Sequence, residues 1–215
     1  MEQLIQTVTV YAIPVLLAIT LHEAAHGYVA RMLGDQTAHL AGRITLNPLK
    51  HIDPVGTIAV PLLILIAAKA LGSPGLLFGW AKPVPVSFQN LRRPKRDMIW
   101  VAAAGPGSNL LMAILWAMFL SAQQLLGAQE QFFQAVAVAG IQVNLVLMAL
   151  NLLPVPPLDG GRIVTGLLPD ALAWRFARIE PYGLIILIAL LASGMLQFFI
   201  QPFFAIGAAI VSLFT

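Results

Sequence analysis

The sequence predicts an all-α polytopic membrane protein, a bundle of about four to six transmembrane helices with short extended pieces and one re-entrant segment. Two observations lead to this fold class. Hydrophobic residues make up 59% of the 215 residues and charged residues only 10%. Soluble domains usually carry about 25% charged residues. The apolar residues also form several runs long enough to cross a bilayer. We therefore expect one membrane-embedded domain over residues 1–215.

The first apolar run, residues 4–33, is predicted to be a transmembrane helix whose exit is marked by Arg31, the first basic residue. Pro14 lies inside this run, and packed membrane helices tolerate such a proline. The preceding residues lack the positive region of a cleavable signal peptide, so we expect this helix to be retained.

Two histidines and a glutamate lie inside this run, in the pattern His22-Glu23-x-x-His26. Residues four apart share one face of a helix, so both imidazoles can reach one ion. Two histidines with an adjacent carboxylate base are what zinc-dependent hydrolysis requires. Ionisable groups at membrane depth favour a functional site over two core histidines satisfied by carbonyls. We predict that His22 and His26 bind the metal and that Glu23 is the catalytic base.

A polar connection at residues 34–54 follows, and it is rich in turn-forming residues. Within it, residues 41–46 are predicted to form a short strand. His39 and His51 also lie here. We interpret both as surface histidines rather than ligands, with His51 the stronger candidate for another role.

The next two segments are an apolar one and a basic one. Residues 55–80 are interrupted by glycines and prolines, so they form one crossing, a re-entrant segment or a tight hairpin. Residues 82–97 are polar and basic. Residues 82–86 are expected to be extended, because proline disfavours helix in the residue before it. The basic cluster is interpreted as a topology anchor.

The remaining apolar runs complete the predicted bundle. Residues 98–126 and 132–153 are two clear spans, and residues 182–200 are a further span that Gln201-Pro202 ends. Residues 203–214 are a partial helix or a thin crossing.

Three asparagines lie inside the spans at 98–126 and 132–153, where each must find a hydrogen-bond partner. These are Asn109, Asn144 and Asn151. The sequence assigns no role to Asn144.

A second motif follows the span at 132–153. Prolines at positions 154, 156 and 157 prevent a regular helix, and Asp159-Gly160-Gly161 places a carboxylate on a tight turn. A catalytic zinc takes three protein ligands and leaves one position for water. Paired with the two histidines, Asp159 is therefore predicted to be the third ligand rather than an ordinary turn residue.

His22 and Asp159 can meet only if an even number of membrane crossings separates them. The spans at 98–126 and 132–153 supply two, so residues 55–80 must supply none or two. In that topology eleven of the twelve Lys and Arg residues share one side, as the positive-inside rule requires. The expected location is a plasma or inner membrane, with the N-terminus outside and the active site toward the cytoplasm.

These motifs resemble those of the site-2 protease family of intramembrane zinc metalloproteases, and they span residues 22–162. The motifs are His22-Glu23-x-x-His26, Gly105-x-x-x-Asn109 and Asn151-x-x-Pro-x-x-Pro-Leu-Asp159-Gly. The resemblance implies one zinc ion per chain, held by His22, His26 and Asp159. It also implies that Glu23 is general base and then acid, with Asn109 and Asn151 near the substrate or the oxyanion.

The resemblance further implies that the substrates are single-span membrane proteins, cut within or near the lipid bilayer. No PDZ or CBS domain fits in the chain. The prediction is a minimal member, with its catalytic core at about 4–162 and C-terminal helices at about 182–214. The chain has no basic cluster on a soluble module, so nothing suggests that it binds nucleic acid. It has no cysteine, which excludes disulfides and thiolate ligands.

Two other functions use the same residues. A membrane transporter of metal ions or protons would also carry intramembrane His, Glu and Asp, but the sequence shows no inverted repeat. A non-catalytic binder of membrane helices is expected to have lost the base, whereas Glu23 is present. The zinc endopeptidase is therefore the preferred function.

Overall fold

The fold is taken from a computed structural model, which describes residues 2–59, 63, 81–127 and 130–215. In chain order, its α-helices are α1 (Glu2–Met32), α2 (Thr37–Leu40), α3 (Pro94–Leu125), α4 (Gln131–Asn151), α5 (Asp159–Leu167), α6 (Asp170–Ala177), α7 (Gly183–Ala192) and α8 (Leu196–Val211). Among the described residues four helices are long and apolar enough to cross a membrane, namely α1, α3, α4 and α8 with its 3-10 continuation to Phe214. No strand occurs in these ranges. The all-α polytopic membrane fold is therefore confirmed.

Helices α1, α3 and α4 pack against one another and form the centre of the molecule. Helix α8 packs on α4 and α3, and a small apolar core joins them around Ala113, Met148 and Val211. Small residues let the helices approach closely. A methyl group on Gly140 of α4, for example, would overlap the ring of Trp116 on α3. The short helix α5 packs on α3 beside this centre, which brings the Asp159 turn to the long helices.

The C-terminal break lies elsewhere than the sequence predicted. Helix α7 ends at Ala192, and Gly194 turns the chain with φ +73° before α8 begins. Pro202, the predicted breaker, instead lies inside α8. A proline removes one backbone hydrogen bond, which neighbouring helices in a membrane bundle compensate. Pro14 in α1 and Pro106 in α3 are accommodated in the same way.

The strand predicted at residues 41–46 is wrong. These residues form turns and bends, starting with Gly42 at φ +62°. No partner strand lies in the described ranges, and local bonds take its place, such as the one from the Arg43 amide to the Ala38 carbonyl. A π-helical turn covers Pro54–Ala59. The rest of the segment predicted to be re-entrant, apart from residue 63, lies outside the described residues.

Asp35 fixes the connection after α1 to the segment at 81–90. Its Oδ1 accepts hydrogen bonds from the Thr37 amide and the Asn90 side chain, and its Oδ2 accepts one from the Ser87 amide at 2.7 Å. Burial acts to raise the pKa of this carboxyl. The hydrogen bonds from Thr37, Ser87 and Asn90 outweigh that effect and hold the pKa below its ordinary value. The ionised Asp35 therefore holds the segment at 81–90 against the end of α1.

Candidate metal centre

Three of the predicted site residues meet at one point. The Nε2 atoms of His22 and His26, one turn apart on α1, lie 3.1 Å from each other. Asp159, the first residue of α5, places its Oδ2 3.2 Å from His22 Nε2 and 3.3 Å from His26 Nε2. All three residues are buried. The fold thus joins two positions that are far apart in sequence, the meeting that the sequence analysis assumed.

The other ring nitrogens indicate the tautomers. His22 Nδ1 lies 2.6 Å from Asn109 Oδ1, and His26 Nδ1 lies 2.7 Å from the Val101 carbonyl oxygen. The Asn109 amide nitrogen donates elsewhere, so both Nδ1 atoms face acceptors and must carry the hydrogen. In neutral rings this leaves a lone pair on each Nε2. Two lone pairs and a carboxylate oxygen therefore point at one another.

This arrangement fits a metal ion. Asp159 Oδ2 is buried and has no hydrogen-bond partner among the described residues. The donor triangle, with edges of 3.1, 3.2 and 3.3 Å, can also be compared with the known geometry of zinc. Zn–N and Zn–O bonds of about 2.0–2.1 Å at tetrahedral angles give ligand-to-ligand distances of about 3.3 Å. The three atoms thus have the number, chemistry and spacing of a catalytic zinc site that leaves one position for water.

Glycines let the neighbouring segments approach this triangle. A methyl group on Gly105 of α3 would lie 2.6 Å from His22 Nε2 and closer still to His26 Nε2. After Asp159, a methyl on Gly160 would overlap the Leu152 carbonyl, and one on Gly161 would overlap the backbone of Pro156. Both positions therefore need glycine for α5 to begin close enough to the histidines.

Glu23 lies beside the triangle on α1 and is half-buried. Its Oε2 accepts a hydrogen bond from the Val84 amide at 2.7 Å. The segment that carries Val84 is also held by Arg43, whose guanidinium donates to the Lys82 carbonyl at 2.9 Å. The Lys82 amide in turn donates to the His51 carbonyl. The predicted base thus anchors the segment at 82–86 beside the predicted metal ligands.

Asn109 and Asn144 form a buried relay behind His22. Asn109 donates from Nδ2 to Asn144 Oδ1 at 3.0 Å and to the Ala18 carbonyl at 3.3 Å. Asn144 donates to the Gly140 carbonyl at 2.8 Å, and both asparagines are fully buried. A hydrogen bond to the distal nitrogen of a ligand histidine fixes the ring and its tautomer. The relay therefore gives Asn144, which the sequence left without a role, a position two hydrogen bonds away from His22, a predicted metal ligand.

The other polar residues singled out by the sequence lie apart from the triangle. Asn151 donates to the Leu147 carbonyl of its own helix at 3.0 Å. His39 is exposed, as expected. The expectation that His51 is a surface residue is wrong: it is 2% exposed, and its Nε2 donates to the Thr45 carbonyl at 3.0 Å. The His51 carbonyl also accepts from the Lys82 amide, a contact with a residue distant in sequence that a local pattern does not reveal.

Comparison with known proteins identifies the chain. A Bacillus subtilis protein named "Putative zinc metalloprotease YwhC" is 38% identical over 213 residues, covering 94% of this chain and 90% of the relative. The chain belongs to peptidase family M50. The pattern of that family, described as "Peptidase family M50", matches residues 122–194. This M50 stretch contains Asp159 and its motif.

Further M50 relatives come from mycobacteria. The Rip2 protein of Mycolicibacterium smegmatis, named in the same words, is 32% identical over 85% of this chain and 66% of its own length. Rip2 of Mycobacterium tuberculosis is 30% identical over the same shares. No solved structure matches the chain. The protein is thus an M50 metalloprotease with apolar helices that can span a membrane.

Proposed function

We propose that this M50 protein is a zinc-dependent intramembrane endopeptidase that hydrolyses peptide bonds of membrane-spanning helices within or near the bilayer. In this proposal His22, His26 and Asp159 hold one zinc ion, and Glu23 is the general base. The observation that carries it is the convergence of two histidine lone pairs with the unpartnered Asp159 Oδ2 inside the helix bundle. Anions and lone pairs in such surroundings require a cation.

Each side chain of the site has its own role in the proposed peptide hydrolysis. A zinc ion bound there would acidify a water molecule and polarise the scissile carbonyl. Glu23 Oε1, which has no hydrogen-bond partner among the described residues, takes the proton from the attacking water. The same carboxyl then delivers the proton to the leaving amine. Asn151 at the end of α4 is assigned, from the resemblance alone, to the oxyanion.

A helical substrate must unwind locally, because its carbonyls are otherwise hydrogen-bonded. The segment at 82–86 provides a partner for the opened chain. Its Val84 amide is bound by Glu23, but the Val84 carbonyl and the Val86 amide make no hydrogen bond with the described residues. These groups are available for strand addition by the substrate, next to the base.

A cavity on the neighbouring face of α1 is suited to an apolar substrate side chain. It has a volume of about 370 Å³, and Ala24, Ala25 and Ser108 leave space beside the metal-binding turn. Its other walls are Leu21, Tyr28 and residues 44–46. The expected substrate is thus a single-span helix with apolar residues around the cleaved bond.

The orientation proposed from the basic residues puts the N-terminus outside and the metal centre toward the cytoplasm of a plasma or inner membrane. Water then reaches the site from the cytoplasmic side. The whole chain, residues 1–215, acts in this proposal as one membrane-embedded protease domain with the lipid bilayer as its surroundings.

The decisive experiment measures metal content in detergent-purified protein, comparing wild type with His22→Ala and Asp159→Ala. About one zinc per chain in wild type, lost in both variants, is the expected result. Cleavage of a membrane-embedded peptide by the wild type alone completes the test. Zinc retained unchanged in Asp159→Ala would remove the third ligand, and zinc-loaded wild type that cleaves no membrane helix would reject the proposed activity.

A further inference from the structure

A cavity lined by arginines lies at the N-terminal end of α3, away from the metal centre. It has a volume of about 350 Å³. Its walls are Leu33, Arg92, Arg93, Arg96, Asp97 and Trp100. Arg96 and Trp100 are four positions apart and lie on one face of α3, and Arg93 is the residue that precedes the helix. We call this the arginine pocket.

The guanidinium groups of the arginine pocket have no carboxylate partner among the described residues. Asp97 is buried, and its Oδ2 accepts a hydrogen bond from the Arg93 amide at 2.8 Å. That carboxylate therefore satisfies the start of the helix. The neighbouring Lys95 points elsewhere and pairs with Asp170. The pocket contains three arginines and one carboxylate, that of Asp97, which is already hydrogen-bonded. Its net formal charge is therefore about plus two, which favours an anionic ligand.

Two backbone contacts fix the shape of the pocket. The Arg92 amide donates to the Leu33 carbonyl at 3.0 Å, which ties the start of α3 to the end of α1. Gly34 has φ +117°, and a side chain there would come within 3.3 Å of Arg92 Cγ. The glycine thus keeps space open beside Arg92, and the backbone around the three exposed arginines has a defined shape.

The pocket lies at the expected boundary of the bilayer. Helix α3 has 32 residues and is therefore about 48 Å long, whereas the hydrocarbon core is about 30 Å thick. Its uncharged apolar part begins at Met98, directly after the arginines. Trp100 is 59% exposed, and tryptophan favours the level of the lipid headgroups. A ligand in the pocket would have its charged part at the arginines and its apolar part beside Trp100.

We propose that the arginine pocket binds the headgroup of an anionic phospholipid. Phosphate matches the fork geometry of guanidinium groups, and acyl chains match the apolar surface that continues along α3. A free phosphate ion would use only the first of these features, and an acidic peptide would not use the second. The site is separate from the metal ligands, so this proposal holds whether or not the protease assignment does.

Native mass spectrometry of delipidated full-length protein, titrated with phosphatidylglycerol or phosphatidylcholine, tests the proposal. We expect phosphatidylglycerol to bind more tightly to wild type. The double variant Arg92→Gln/Arg96→Gln should lose about fivefold in affinity per removed charge and bind both lipids alike. Arg92→Lys/Arg96→Lys, which keeps the charge, should retain most of the preference. Arg175→Gln removes an exposed arginine of α6 and should change nothing.

Several results would overturn the proposal. One is an unchanged lipid preference in the glutamine variant, and another is an equal loss in Arg175→Gln. Inorganic phosphate that binds wild type as tightly as phosphatidylglycerol does would identify a soluble-anion site instead. An acidic peptide that displaces the lipid and binds more tightly would identify a protein partner. Melting temperature checks the fold, and the single variant Arg96→Gln, with an expected loss of about fivefold, replaces the double glutamine variant if the latter fails to fold.

Discussion

Asn109 of α3 holds His22 of α1 through a hydrogen bond of 2.6 Å between His22 Nδ1 and the amide oxygen. The helix that supplies Asn109 contributes none of the three predicted metal ligands, yet it fixes the ring of one of them. Asn144 of α4 orients that amide in turn. The three central helices thus all contribute to the alignment of one imidazole.

Removing this relay should weaken metal binding in graded steps. We expect Asn109→Ala to lower zinc affinity by about 10- to 100-fold, since the His22 ring loses the partner that fixes its tautomer. Asn144→Ala should have a smaller effect in the same direction. The double variant should lose less than the product of both, because Asn144 acts through Asn109. Competition with a chromogenic chelator measures the affinities.

Asn151→Ala is the matched control for these variants. Its side chain bonds to its own helix, so its loss should leave zinc affinity unchanged. An equal fall in affinity in Asn151→Ala and Asn109→Ala would mean that a general loosening of the bundle, and not the relay, explains the result.

Gly105→Ala should prevent metal binding although it adds only one methyl group. That group would overlap the space around His22 Nε2 and His26 Nε2. Gly107→Ala on the same helix is the control, because a methyl there meets nothing within 4 Å. The measurement is the zinc content of the two purified variants, which should be lost in Gly105→Ala and kept in Gly107→Ala. Full zinc occupancy in Gly105→Ala would show that a methyl group fits between α3 and the two histidines.

Glu23→Gln should keep the metal and lose cleavage. Glutamine preserves size but cannot accept the proton from water, so the expected fall in kcat is about 100- to 10,000-fold. Zinc content should stay at the wild-type level, since Glu23 is not among the three converging ligands. Cleavage of a membrane-embedded peptide is the measurement, and undiminished peptidase activity in this variant would remove Glu23 from its role.

Asp35→Asn should lower stability in a pH-dependent way. The pKa of Asp35 lies below its ordinary value in the folded protein, so its ionised form stabilises the fold above the unfolded value of 3.8. This contribution is lost as the pH falls through the folded pKa. At neutral pH we expect a cost of about 2 kcal/mol, because the amide group would face the donors of Thr37 and Ser87.

Melting temperatures in detergent, recorded for wild type and Asp35→Asn between pH 7 and about pH 3, test this prediction. The gap between the two proteins should narrow only at the acidic end. A gap that is constant over the whole range would mean that the charge of Asp35 makes no difference.

The sequence predicted the membrane class, three of the long helices and the residues that converge at the centre. Composition and the spacing of His22 and His26 report these features directly. The sequence argument took Asp159 to meet the histidines and deduced from this an even number of crossings between them. The structure places the three residues together. That these residues ligate zinc stays a prediction until metal content is measured.

Other features depended on tertiary contacts that no local pattern encodes. Pro202 was predicted to end a helix, but packing accommodates it and Gly194 forms the turn instead. His51 is buried, and it contacts the Thr45 carbonyl through its ring and the Lys82 amide through its own carbonyl. The Val101 carbonyl that holds His26 is a backbone group, so no side-chain signal could reveal it. Asn109 and Asn144 could be recognised in the sequence as polar residues at membrane depth. The sequence did not show which groups their amides would contact.

The uncharged partners of the two histidines have an electrostatic consequence. An amide oxygen and a backbone carbonyl, rather than carboxylates, face the Nδ1 atoms, so these partners add no formal charge, and rings that bind a metal ion through Nε2 would be neutral. The formal charges nearby are then those of Asp159 and Glu23, about minus two in total, which a divalent cation cancels. A monovalent ion would leave net charge in a region where charge is costly. The surroundings of the site therefore select for ion valence, in addition to the selection for ion size by the ligand distances.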